Sequence, residues 1–194
     1  MNEPSSTRRR EWLVRVILIL GTAAYLLRLP YLGEFWGSLL GVALLGTGYG
    51  YLRSFQRMRV PVVFLVLLFA AAQVDLLGNY FAMYGQPFGP LQYDEFSHMA
   101  VSALSIPIFV WFLGELARRY CSRLPLSLVA LVAVSLCLSA SAIYEIIELW
   151  DARYFGNRRI WGPFDAPNDL QWNFLGMVLG ALLACAVLGR TRSA

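Results

Sequence analysis

Apolar residues run in long blocks along the chain, and short polar segments separate them. An α-helix needs roughly 20 mostly apolar residues to cross a hydrocarbon core. Six blocks approach that length. They run from about Trp12 to Leu27, Trp36 to Leu52, Val60 to Leu77, Phe96 to Leu116, Leu126 to Trp150, and Leu170 to Leu188. No repeat, low-complexity tract or linker interrupts them. Residues 1–194 therefore read as one all-α domain, a polytopic membrane helix bundle of about six transmembrane helices. Small residues mark a packing face on the last block, where Gly176, Gly180 and Ala184 recur every four residues. Pro107 lies inside the fourth block and predicts a kink there.

Composition agrees with this pattern. Hydrophobic residues make up 58% of the chain and charged residues 14%, against about 25% charged in an ordinary soluble domain. The net charge is +4, and all 16 basic residues are arginine. They cluster between apolar blocks, which membrane topology explains better than nucleic-acid binding does. With six spans, Arg8, Arg9, Arg10, Arg53, Arg57, Arg59, Arg118, Arg119, Arg123, Arg190 and Arg192 share one side. Arg28, Arg153, Arg158 and Arg159 share the other. The positive-inside rule then puts both termini in the cytoplasm. Arg8 to Arg10 precede an apolar run, as in a signal peptide, and Thr7 to Leu13 loosely resemble a twin-arginine signal. No small-residue cleavage site follows, so the segment reads as an uncleaved first helix. Cys121, Cys137 and Cys185 have neither metal-like nor disulfide-like spacing and read as small packing residues.

The acids change the picture more. Asp75, Asp94, Glu95, Glu145, Glu148, Asp151, Asp165 and Asp169 all fall at outward helix ends or in outward loops, and so does the single histidine, His98. Asp94 and His98 are four apart and share a helix face. Glu145 and Glu148 are three apart. Asp169 and Asn173 continue the stripe of Gly176 and Gly180, and Asp75 pairs with Asn79 on the third span. Carboxylates at membrane depth are costly unless neutralised. Arg153, Arg158 and Arg159 offer a salt-bridge cap for the fifth loop. His98 with Glu145, Glu148 and Asp169 offers a divalent-metal site, since one imidazole with carboxylates suits Zn, Mn or Fe. A proton-linked or headgroup-binding pocket is the third option. Ser102 and Ser105 follow His98 on the same helix, but no Ser-His-Asp order, phosphate loop or metalloprotease helix motif accompanies them.

Three blocks carry a family resemblance. Tyr93-Asp94-x-x-x-His98, Ala142-Ile143-Tyr144-Glu145-x-x-Glu148 and Asp165-x-x-x-Asp169-x-Gln171-Trp172-Asn173 resemble the YjdF-like inner-membrane family, a domain of unknown function. The order also resembles a remote version of the VanZ-like pattern, whose last piece here is Asp169, Asn173, Gly176 and Gly180. The likeness covers about Tyr93 to Leu183. The YjdF-like pattern usually has Asp where Asn173 stands and Gly where Ser97 stands. The resemblance implies a bacterial inner-membrane protein, and VanZ-like proteins are linked to glycopeptide resistance. It implies no settled reaction.

The leading expectation is an outward-facing pocket of Asp94, His98, Glu145, Glu148, Asp165, Asp169 and Asn173 that binds an amphiphilic or lipid-linked envelope ligand. In it Asp94 orients His98, Gln171 and Trp172 line the interface, and Arg158 and Arg159 meet a phosphate. One alternative is a divalent-metal-dependent membrane enzyme acting on a lipid-like substrate. The other is a proton-coupled small-solute transporter, against which stand bare cytoplasmic helix halves and the absence of an inverted repeat.

Overall fold

A computed structural model of the chain describes residues 60–121, 124–156 and 162–193, together with Trp12, Arg15, Val16, Ile19, Leu20, Ala23 and Met58. The first two predicted spans lie almost entirely outside the described residues. The chain divides into two units, residues 1–70 and 71–194. Among the described residues, four helices are long and apolar enough to cross a membrane: α1 (Val62–Tyr80), α2 (Tyr93–Tyr120), α3 (Leu126–Phe155) and α4 (Asp165–Ser193).

The helices outrun their apolar blocks. α2 starts at Tyr93 rather than Phe96, and α4 at Asp165 rather than Leu170. The reason is capping. The backbone N–H of Gln92 donates to Glu95 Oε2 at 3.0 Å, so a side chain replaces the missing helical acceptor. Asp94 and Glu95 also place negative charge at the positive end of the α2 dipole, and Arg118 and Arg119 place positive charge at its negative end. Gly156 ends α3 with a left-handed φ of 73°, which costs a residue without a side chain little.

A two-stranded antiparallel ribbon, β1 (Pro87–Phe88) and β2 (Leu91–Gln92), links α1 to α2, with Phe88 opposite Leu91. The sequence reading contained no strand. Gly89 opens the intervening turn with φ 64°, a conformation open to glycine. Aromatic rings pack beneath the ribbon. Phe88 stacks at 4.6 Å from Phe96 and edge-on at 5.5 Å from Tyr93, whose other edge meets Tyr84 at 5.4 Å. The Tyr93 hydroxyl donates to the Val74 carbonyl. Gly78 on α1 makes room for the Tyr93 ring, which any side chain there would strike.

Within residues 71–194, α2 packs most extensively on α4, and α3 packs against both. The core is apolar and small-residue rich: Ile106 and Val110 from α2, Val129 and Ala133 from α3, Ala181 and Ala184 from α4. α2 and α4 run parallel, because moving four residues along one moves four along the other: His98 meets Asp169, and Ser102 meets Asn173. α3 returns antiparallel, with Leu126 beside Cys185. Close approach of α2 and α4 rests on the predicted stripe. A side chain at Gly176 would enter the Met99 backbone, and one at Gly180 the Ala103 carbonyl. Pro107 lies one turn beyond Ala103 inside an unbroken α2. Having no N–H, it leaves that carbonyl without its helical donor. The α-carbon hydrogens of Gly180 therefore face an oxygen that is free to accept them.

Outside this core, large apolar side chains point away from the protein, among them Leu131, Leu136, Ile147, Leu179 and Leu182. Such a surface suits lipid rather than water.

Candidate functional site

Two devices fix the polar cluster. The cap at Gln92 and the aromatic group around Tyr93 set the start of α2, and the glycine stripe sets the height of α4 against it. A further link joins the two helix starts, where Asn168 Nδ2 donates to Glu95 Oε1 at 3.3 Å. With α4 held there, Asp169 faces His98. His98 Nε2 lies 3.5 Å from Asp94 Oδ1 and 3.6 Å from Asp169 Oδ1. One donor atom from each of the three residues falls within 4.8 Å of the others.

One turn deeper, Ser102 Oγ donates to Asn173 Oδ1 at 2.7 Å. Both residues are buried. This bond satisfies a polar pair that would otherwise be stranded between apolar helices. Asp169 is only 4% exposed and Glu145 only 7%. Buried Oδ1 of Asp169 and Oε1 of Glu145 have no hydrogen-bond partner among the described residues, and neither has Trp172 Nε1. Glu145 reaches the group from α3 and stands within electrostatic range of Asp169, Glu148, His98 and Asp165. Carboxylates from three helices thus surround one imidazole, in a place where unpaired charge is expensive. Such a set can share a proton, hold a divalent cation, or bind a cationic group.

The predicted residues separate into classes. Asp94, His98 and Asp169 come together, and Asn173 continues their stripe through Ser102. Glu145 is buried toward them. Glu148 and Asp165 are partly buried, within electrostatic range of Asp169. Gln171 is exposed, two positions from Asp169 and so on a different face of α4. Arg158 and Arg159 lie outside the described residues. Of the residues expected to hold a metal, His98 and Asp169 are in the close three-donor group and Glu145 and Glu148 are not; its third member is Asp94, expected only to orient His98. The Asp75–Asn79 pair is real but bound elsewhere: Asn79 Nδ2 donates to Asp75 Oδ1 at 3.3 Å, and the Tyr84 hydroxyl donates to the same oxygen at 2.7 Å. Burial first, then the Asp75 carboxylate, holds the Tyr84 phenol well above its ordinary value, so it stays a donor. Sequence reasoning missed the roles of Ser102, Asn168 and Tyr84. A serine four residues from His98 on a helix with an Asp-x-x-x-Asn partner was the available signal for the first.

Residues 10–193 match the family described as predicted membrane protein (DUF2238). The chain belongs to that family. Membership agrees with the four apolar helices, and it makes this family member a membrane protein without attaching a reaction to it. No curated protein and no solved structure matches the chain.

Proposed function

We propose that this chain is a bacterial inner-membrane protein, YjdF-like and remotely VanZ-like, that binds the polar head of an amphiphilic or lipid-linked envelope ligand at its outward face. The observation that carries the reading is the pair of buried carboxylate oxygens on Asp169 and Glu145 that make no hydrogen bond, in the cluster around His98 where the spans end. A bundle does not keep such groups for stability alone, because removing them from water costs several kcal/mol each unless something compensates. Apolar and aromatic side chains flank them on the outside of α3 and α4, including Tyr144, Ile147, Trp150 and Phe174. A buried polar cluster beside an exposed apolar surface matches a molecule with one polar and one apolar end.

The orientation belongs to the same proposal. The acids gather at the starts of α2 and α4 and the end of α3, and Arg118 and Arg119 close the opposite end of α2. Six spans with both termini in the cytoplasm put eleven arginines inside, and put Arg28, Arg153, Arg158 and Arg159 outside with the acidic cluster.

The test is lipid mass spectrometry on detergent-purified wild-type, Asp169→Asn and Glu145→Gln proteins, with cysteine-accessibility mapping of Asp165→Cys and Glu115→Cys in intact cells. The reading expects an amphiphile enriched over bulk membrane lipid in the wild type and depleted in both variants, with position 165 labelled from outside and position 115 not. An identical lipid profile in all three proteins, or the reverse labelling, overturns it.

A further inference from the structure

We propose that Asp94, His98 and Asp169 form a binding site for a first-row divalent metal ion of the zinc or manganese class. The site lies in the polar cluster described above, yet the metal itself does not depend on the amphiphile. Only the identity of what completes the ion's coordination rests on that earlier reading.

Three observations point to an ion. The first is spacing. His98 Nε2 stands 3.5 Å from Asp94 Oδ1 and 3.6 Å from Asp169 Oδ1. Good N–H···O bonds are about 2.7–3.2 Å long, so these pairs sit beyond hydrogen-bond length. Both are ion-pair contacts, and both also match the edge of a coordination tetrahedron, while the third pair, Asp94 and Asp169, lies within 4.8 Å. Metal bonds of about 2.0–2.2 Å to nitrogen and carboxylate oxygen separate neighbouring ligand atoms by about 3.3–3.6 Å. The second observation is the state of Asp169. It is 4% exposed, and its Oδ1, the atom nearest His98, is buried without a hydrogen-bond partner among the described residues. A buried carboxylate oxygen that makes no hydrogen bond and meets an imidazole nitrogen at ion-pair distance, 3.6 Å, has the surroundings of a metal ligand. The third is the donor set. One imidazole with two carboxylates suits zinc, manganese and iron, whereas magnesium and calcium favour all-oxygen shells.

The supports of the site are built for rigidity. Asp94 and His98 sit on consecutive turns of one helix, so their spacing is set by the helix itself. Asp169 is set by the glycine stripe and by the Ser102–Asn173 bond. Glu145 arrives from α3, 7% exposed, with Oε1 unpartnered. Three protein ligands leave a coordination position open, which is the arrangement of sites that bind water or an exogenous oxygen. Charge also favours a dication: it offsets both the Asp94 and Asp169 carboxylates, whereas a protonated imidazole offsets one.

The experiment uses the full chain in detergent. Protein purified without chelator is measured by elemental analysis, then stripped and titrated with zinc and with manganese by calorimetry. Cobalt substitution reads the coordination geometry through its visible absorption. The expected result is about one metal per chain, bound at least tenfold more weakly in His98→Gln, Asp94→Asn and Asp169→Asn. Glu115→Gln, at the other end of α2, leaves binding unchanged. Asp94 is about one-fifth exposed, so Asp94→Asn keeps the fold even where the buried Asp169→Asn does not. Absence of metal after zinc and manganese titration overturns the proposal. So does binding that all three ligand variants retain, which marks adventitious attachment to surface acids. Lipid analysis of the same samples keeps the two readings apart. An enriched amphiphile without metal ends this inference alone, and metal without an enriched amphiphile ends the earlier one alone.

Discussion

Replacing Gly176 by alanine adds a single methyl group, and two effects of opposite sign compete. Helix propensity favours alanine over glycine by about 0.8–1.0 kcal/mol. Packing opposes it, because the new Cβ would meet the O, C and Cα atoms of Met99 inside contact distance. These are backbone atoms of a neighbouring helix, so no rotamer change relieves them. Restoring ordinary carbon contacts of about 3.5–4.0 Å moves α4 from α2 by about 1 Å or more. Overpacking of this kind typically costs about 1–3 kcal/mol, and a rigid obstacle places it at the upper end. The net expectation is a loss of about 1–2 kcal/mol, or a fall in Tm of about 2–8 °C on the scale of chains this size. The displacement acts where α4 carries Asp169, so the 3.6 Å approach to His98 also opens. The assay is thermal unfolding in detergent, with Gly189→Ala as control. Gly189 is helical and an added Cβ there meets nothing within 4 Å, so that variant keeps or gains stability. If Gly176→Ala proves as stable as Gly189→Ala, the account of this interface is wrong.

Other perturbations test separate parts of the structure. Ser102→Ala strands the buried Asn173 amide; a loss of about 0.6–1.7 kcal/mol is expected from membrane hydrogen bonds, and denaturant titration in mixed micelles measures it, with Ser102→Thr restoring most of the loss. Glu95→Ala removes both the cap on Gln92 and the link to Asn168; about 1 kcal/mol is expected, read as faster hydrogen exchange in the first turn of α2. Tyr84→Phe frees Asp75 Oδ1 of its phenol donor and costs about 1–2 kcal/mol. In the wild type the Tyr84 phenol is raised in the folded state above its ordinary value of 10.0. Its contribution is thus complete below about pH 10 and declines as pH rises above it, since only the unfolded chain then ionises. Alkaline unfolding curves of wild type and Tyr84→Phe should therefore converge; parallel curves would refute that assignment.

Local chemistry and long-range register were not equally legible. The blocks from Val60 onward predicted four helices in the right order, because apolar length alone decides a span. Their ends were misjudged because hydropathy stops at Asp94 and Asp169 while backbone hydrogen bonding continues. The Asp94–His98 pair was readable from helix geometry, and so was the packing face at Gly176 and Gly180. That Asp169 meets His98, rather than Glu145 or an arginine, depends on how far α4 slides along α2. No local pattern carries that quantity; it follows from where glycine lets two backbones touch. Spacing also overstated the kinship of Glu145 and Glu148, since three residues on a helix still differ by about 60° in direction, enough to bury one and leave the other half-covered. The Tyr84–Asp75 bond needs a nine-residue excursion through a turn, which periodicity does not describe.

The parallel pairing of α2 with α4 has a consequence for biosynthesis. Partners such as Ser102 and Asn173 are 71 positions apart, and α3 must be threaded before they can meet. During synthesis, the ribosome delivers Asp94, His98 and Glu145 to the bilayer well before Asp169 exists. Their unmet polarity has to be tolerated by the insertion machinery or by water until the final helix arrives. Chains halted short of Asp169 will hold an incomplete cluster, and such intermediates are the natural targets for membrane quality-control proteases.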